Sequence, residues 1–257
     1  TSCRPRSHDV AEMHIPFLTD DPSDASFPYF WGPIDSLHTF CERKYITHPM
    51  AAEFYNCLGS LIYCVAASVG LYHCRGTVWQ VQCGWWSLLV VGVGSFLFHV
   101  MMRYNAELGD ELPMLILVAC GILGFDGSHP WAMSMGGQRL LRGWTLSVLV
   151  GLIALYLWTR IFGLFISGFT GGIIILIGLG LTSNTQEKGV VATRMAAIKW
   201  ICFARVSWET ENHGCAMAPW LWPLHNVWHL TSCIACYYML FHAYYYRIER
   251  LGLAGVF

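Results

Sequence analysis

Charged residues stand far apart in this chain, and the stretches between them are almost wholly apolar. Charge-free runs lie between Glu53 and Arg75, Arg75 and Arg103, Glu111 and Asp126, Arg142 and Arg160, Arg160 and Glu187, and Glu211 and Arg247. Most of them reach or approach the roughly 20 residues that a membrane-spanning helix needs. The pattern predicts spans over about 51–72, 78–101, 110–125, 143–158, 161–182, 190–208 and 221–246. The sixth is the weakest, because Arg194, Lys199 and Arg205 interrupt it. A central lysine costs roughly 2.5–3.5 kcal/mol on the insertion scale, less where it snorkels to an interface. Gly92 and Gly94 let the second span approach a neighbour closely. The third opens on Asp110 and Glu111, where a helix dipole favours negative charge. Residues 1–50 are polar, carry Pro5, Pro16, Pro22, Pro28, Pro33 and Pro49, and read as an extramembrane N-terminal arm. Residues 51–246 then form the transmembrane domain and 247–257 a C-terminal tail, with no internal repeat.

Composition supports this reading. Hydrophobic residues make up 55% of the chain and charged residues 12%, about half the charge of a soluble domain. The net charge of −1 says nothing about nucleic acid, but no basic stripe supports such binding, and no nucleic-acid partner is expected. Of the eleven cysteines, Cys57, Cys64, Cys83 and Cys120 sit inside apolar runs and read as small packing residues, as does the lone Cys233-x-x-Cys236. The sequence begins at Thr1, which leaves an upstream targeting peptide open; the first span can itself act as an uncleaved signal anchor.

Against the apolar background stands a polar set: Ser95 and His99, Asp110 and Glu111, His225 and His229. The i, i+4 pairs each share one helix face. Ionisable side chains inside hydrophobic helices are costly, so their default reading is functional. Three imidazoles and an acid also match a catalytic zinc inventory, with three protein ligands and one open position. Successive spans alternate direction. With seven spans every member of the set falls at one membrane face; with six, His225 and His229 are stranded at the other. The expected fold class is therefore all-α: a polytopic membrane protein, a seven-transmembrane helix bundle with an intramembrane metal site.

An open zinc position lowers the pKa of a bound water toward ~7, ready to attack an acyl carbonyl near the membrane surface. Asp110 is suited to take the proton and later deliver it to the leaving group; its plain alternative is a helix N-cap, and Glu111 is the more ordinary cap-region acid. Ser95 can donate to the oxyanion, the alternative being a packing serine. No histidine is left over to make it a nucleophile. As bundle residues the three histidines would hydrogen-bond across helices, but three at one depth beside an acid favour the metal. His8, His14, His38, His48, His73, His129, His213 and His242 read as loop or interfacial residues.

These residues reach a known family. Gly94-Ser95-Phe96-Leu97-Phe98-His99, Arg103-Tyr104, Asp110-Glu111-Leu112-Pro113-Met114 and Leu224-His225-Asn226-Val227-Trp228-His229 closely resemble the alkaline ceramidases. Cys41-Glu42 with Tyr45, then Ala52-Glu53-Phe54-Tyr55-Asn56, resembles that family's amino-terminal signature, and Trp208-x-x-Glu211 with Cys215 the motif closing its sixth span. The likeness runs from Trp31 to Tyr246 in the same order. It implies zinc held by His99, His225 and His229, with Ser95 and Asp110 completing the site. It also implies hydrolysis of a ceramide-type membrane lipid to sphingoid base and fatty acid, in the endoplasmic reticulum or Golgi. The rivals are a lipid-remodelling esterase of the same superfamily and a seven-helix receptor similar to the adiponectin and progestin receptors. Cys41-Glu42 and the Glu53 motif favour the ceramidases.

The family also holds calcium with an Asp three positions before the Glu of Cys-Glu, a backbone carbonyl, that Glu, an Asn two positions later, and the Glu entering the first span. Phe40, Glu42 and Glu53 match, but Thr39 and Lys44 stand at the Asp and Asn positions. Calcium needs hard oxygen ligands, which an ammonium opposes. Either Lys44 pairs with Glu42 and Glu53 in the ion's place, or it points to solvent and calcium stays. Basic residues near span ends are slightly more numerous on the C-terminal side, which puts the C terminus in the cytosol and the N terminus in the lumen. Cys41 and Cys215 then both face an oxidising lumen and are expected to pair.

Overall fold

The computed structural model describes residues 30–75 and 77–252. Residues 1–29, with His8, His14 and the first four prolines of the expected arm, and 253–257 of the expected tail lie outside the described residues. The described chain is all-helical: α1 (Phe54–His73), α2 (Trp79–Met101), α3 (Tyr104–Leu123), α4 (Met135–Thr159), α5 (Phe162–Thr182), α6 (Lys188–Gly214) and α7 (Pro223–Leu251). An isolated bridge between His48 and Ala51 is the only β pairing among the described residues. By length and composition, α1, α2, α4 and α5 can cross a membrane. The other three carry more charge.

Helix ends follow local chemistry. Ser134 caps α4 by accepting from the Gly137 N–H (3.1 Å), and Pro223 opens α7 where its missing N–H costs nothing. Met102 ends α2 in the left-handed region (φ 49°), so the chain reverses and α3 begins at Tyr104. That is six residues before the apolar pattern placed it, because Glu107 hid the first turn. Asp110 and Glu111 therefore lie in the second turn of α3 and neither is a cap. At the other end α7 runs to Leu251, so 247–251 of the expected tail are helical. There Arg247 donates to the Asp126 carbonyl.

Packing places α7 at the centre, against α1, α2, α3 and α6, while α2 lies between α1 and α3 and the outer α4 and α5 flank α3. The apolar α4 buries only Leu141, Thr145 and Tyr156, so most of its surface faces outward, as lipid contact requires. The tightest approach is α2 on α3. A Cβ on Gly94 would lie 2.0 Å from the Gly109 carbonyl oxygen, so only glycine fits. Pro113, four residues after Gly109, has no N–H to engage that carbonyl within α3. The two backbones therefore meet beside Ser95 and Asp110.

Residues 30–53 fold back over one end of the bundle as a cap. Glu107 accepts from the N–H groups of Leu37 (2.6 Å) and His38 (2.9 Å). The Ala52 and Glu53 N–H groups donate to the last carbonyls of α2, those of Val100 and His99 (3.0 and 2.9 Å). Cys41 and Cys215 are joined by a disulfide, with Cα atoms 5.6 Å apart. The cap is thus tied to α2, α3 and the end of α6.

Candidate metal centre beneath the cap

His99 near the end of α2 and His225 and His229 in the first turns of α7 bring three ring nitrogens within 4.8 Å of one another. All three residues are buried. Each outer nitrogen is held by a different partner. His99 Nδ1 donates to Glu53 Oε2 (2.6 Å), and His225 Nδ1 to Glu211 Oε2 (3.2 Å). His229 Nδ1 lies 3.4 Å from the Tyr63 hydroxyl. Ser232 Oγ donates to the Trp228 carbonyl (2.5 Å), so the Tyr63 hydroxyl, 2.6 Å from Ser232 Oγ, must donate to it and is left to accept from His229. Every Nδ1 therefore carries the proton, and every Nε2 presents a bare lone pair.

That arrangement fits a cation. His99 Nε2 and His229 Nε2 are 3.2 Å apart, and two lone pairs at that separation repel unless a positive centre stands between them. Tetrahedral zinc with bonds of 2.0–2.1 Å would space its nitrogen ligands about 3.3 Å apart. Outer partners of this kind fix tautomer and ring orientation at metal sites and raise ligand basicity.

Glu53 serves two neighbours, because its Oε1 accepts from the Lys44 ammonium. Lys44 Nζ also donates to the carbonyls of Phe40 (2.7 Å) and Glu42 (2.8 Å). Lys44 is therefore buried and paired with Glu53 and does not point to solvent. Its contact with Glu42 is through the backbone, while the Glu42 carboxylate accepts from the N–H groups of Tyr55 (2.7 Å) and Asn56 (2.9 Å) at the start of α1. Burial would raise the pKa of Glu53, but the Lys44 ammonium and His99 override it and hold the carboxyl well below the usual range. Thr39 is exposed. The Phe40 ring closes the cap side of the centre, 3.8 Å from the His225 ring centroid.

Ser95 and Asp110 line the same cavity as His225 and His229, bounded beyond them by Phe162, Phe165 and Phe169 of α5. Ser95 Oγ is buried beside Asp110, the side chain its hydroxyl can donate to. Glu111, beside Asp110, accepts from the Tyr156 hydroxyl and ties α3 to α4.

Several residues around the centre carried no assigned role in the sequence. Glu211 holds His225 with one oxygen and the Cys41 N–H (2.8 Å) with the other; it stood in the Trp208-x-x-Glu211 motif but had no assigned role. Tyr63 had no signal, being one tyrosine in an apolar span. His38, read as a loop or interfacial residue, does lie in the cap loop, where it stacks on Phe162 (4.7 Å) and lines the cavity. Of the other histidines read as loop or interfacial residues, His129 lies buried in the loop between α3 and α4 and His242 is buried within α7, both at the opposite end of the bundle.

Comparison with known proteins bears on this geometry. The family model described as Ceramidase matches residues 32–254. The chain is similar to alkaline ceramidase 3 of Mus musculus, 33% identical over 90 residues, or 34% of this chain and 33% of that protein. It is 25% identical over 274 residues to the putative alkaline ceramidase dcd3B of Dictyostelium discoideum, covering 88% of this chain and 95% of the relative. Alkaline ceramidase YPC1 of Saccharomyces cerevisiae is 33% identical over 98 residues, 36% of this chain and 30% of that protein. The chain thus spans about a third of the mouse and yeast relatives in these alignments, and nearly all of the Dictyostelium one.

Proposed function

The chain belongs to the ceramidase family, and on that premise we propose that it hydrolyses the amide bond of a ceramide-type lipid at a zinc ion held by His99, His225 and His229. The observation that carries this reading is the three convergent Nε2 lone pairs, each imidazole oriented through its Nδ1 by Glu53, Glu211 or Tyr63. Zinc bound there would supply Lewis acidity and a water acidic enough to react near neutral pH.

The protein's own residues do the rest. The α5 phenylalanines give an acyl chain an apolar wall beside the centre. Ser95 Oγ donates to the amide oxygen as negative charge gathers on it. Asp110 removes the proton of the attacking water and returns it to the amide nitrogen, which leaves as the free amine of the sphingoid base. Phe40 and the cap keep bulk water from the cap side. Lys44 supplies a fixed positive charge among the Phe40 carbonyl, the Glu42 carbonyl and Glu53, and in this reading makes calcium unnecessary.

All seven helices cross the membrane in this reading, with the polar faces of α3, α6 and α7 turned inward around the centre. The capped end is lumenal, in the endoplasmic reticulum or Golgi, which suits the Cys41–Cys215 disulfide. The test is ceramide hydrolysis by purified protein, read as free sphingoid base. Asp110→Asn should lower turnover by roughly 10²–10⁴-fold with the metal retained, and Ser95→Ala by about 10²–10³-fold. Full activity in Asp110→Asn, or release of fatty acid from ester lipids in place of ceramide, would refute the reading.

A further inference from the structure

The reaction proposed above turns one neutral molecule into two ions. Water adds its hydroxyl to the amide carbon and its proton to the nitrogen as the C–N bond breaks. The fatty acid then yields its proton to the amine, leaving a carboxylate and an ammonium. For the ammonium the cavity offers acids, Asp110 and Glu111. The carboxylate meets the phenylalanine wall of α5, and an ion against apolar surface is costly unless a counter-charge reaches it. Among the described residues Arg205 of α6 is the only arginine or lysine that lines this cavity, and no step assigned so far uses it.

Its setting leaves it free to act. The guanidinium lies over the Trp208 ring, 4.7 Å from the centroid. Trp208 stacks in turn on His38 (5.6 Å), and His38 on Phe162. NH2 pairs with Glu209, while Nε and NH1 meet no acceptor among the described residues. With 29% of the side chain exposed, these donors stay accessible. Helix α6 packs closely along α7 but touches α5 at few points, so Arg205 stands where the cavity meets a seam between α5 and α6. The other oxygen of Glu209 lies 3.0 Å from Nε2 of the largely exposed His213. Arg205, Glu209 and His213 recur at every fourth residue and so share a helix face. Eight residues of helix span about 12 Å, and the stripe leads from the cavity toward the capped end.

We propose that Arg205 binds the fatty-acid carboxylate released at the metal centre, giving up Glu209 for it, with the alkyl chain lying along the seam between α5 and α6. A planar guanidinium meets a free carboxylate through two parallel hydrogen bonds. Glu209, engaged through one oxygen and shared with His213, provides less. Glu209 is therefore a competitor that yields to a bidentate partner. The inference rests on the reaction assigned to the centre, because that reaction supplies the acid.

The test is palmitate binding to the full chain in phosphatidylcholine nanodiscs, with 1-hexadecanol as the uncharged counterpart of equal chain length. Displacement of a palmitate carrying a mid-chain diazirine gives both affinities. The wild type should bind palmitate roughly tenfold or more tighter than 1-hexadecanol, the worth of one charge-assisted pair. Arg205→Gln should erase that preference and Arg205→Lys should keep part of it. Glu209→Gln, which removes the competing charge, should tighten palmitate by roughly threefold. Zinc content and thermal midpoint should not follow these changes, which separates a carboxylate site from a structural ion pair. An unchanged preference in Arg205→Gln, or weaker palmitate binding in Glu209→Gln, would overturn the proposal even where ceramide is hydrolysed at the full rate. A preference that depends on Arg205 in a chain that leaves ceramide intact would support the site and refute the reaction.

Discussion

The two ends of the bundle each bury an acid against a cation, and they do so in different ways. At the capped end Glu53 is fully buried and the side chain of Lys44 is 9% exposed; both carboxylate oxygens and the ammonium are engaged within the protein. At the other end Asp126 is buried, but the side chain of Arg142 is 49% exposed, and Asp126 Oδ1 has no partner among the described residues. A compact ammonium is strongly hydrated and accepts burial only when its donors are met, whereas a guanidinium on a long stem can bind an acid and still reach water. The closed pair sits one hydrogen bond from His99, an imidazole of the candidate metal centre, and the open pair stitches loop to helix. Burial is complete where a ring has to be aimed.

Breaking each pair should expose that difference. Lys44→Ala leaves Glu53 buried with its charge unmatched, which costs on the order of 3–5 kcal/mol. Chemical denaturation should show that loss, and activity should fall with it as Glu53, no longer held by Lys44, ceases to fix His99. Wild-type activity should be indifferent to a calcium chelator that spares zinc. Lys44→Asn combined with Thr39→Asp rebuilds an oxygen shell and should introduce a calcium response. Strong calcium dependence of the wild type would mean that Lys44 does not fill this role.

At the open end Arg142→Ala should cost less, roughly 1–3 kcal/mol and toward the lower figure, because solvent already screens half of that side chain. Denaturation of the variant beside Lys44→Ala sharpens the comparison; equal losses would contradict it. The smallest effect belongs to Arg205–Glu209, an i, i+4 pair with side chains 29% and 38% exposed. Glu209→Gln should change stability by no more than about 0.5 kcal/mol.

Much of the site could be read from sequence because its signals are local. His225 and His229 share a helix face at i, i+4, and alternation of spans put them at the same end as His99 and Asp110. Cys41 and Cys215 were placed on one side by the same count. What sequence concealed depends on contacts across long separations. Glu211 reaches Cys41 over 170 residues and Tyr63 reaches His229 over 166, and neither residue type is unusual where it stands. Glu53, read only as a cation ligand, proved also to hold His99, because the apolar pattern cannot show which way a carboxylate turns. The start of α3 was misplaced for a related reason: Glu107 looks like a boundary until its two N–H partners in the cap are known. His242 reads as interfacial until the packing of α6 on α7 encloses it.

Everything proposed for the site depends on three imidazoles, aimed from behind by Glu53, Glu211 and Tyr63, holding zinc. Elemental analysis of the purified chain tests it most directly. One zinc per chain is expected in the wild type, retained in Asp110→Asn and lost in His229→Ala, since two imidazoles bind far more weakly than three. Wild-type protein that hydrolyses ceramide at full rate with no stoichiometric zinc would contradict it.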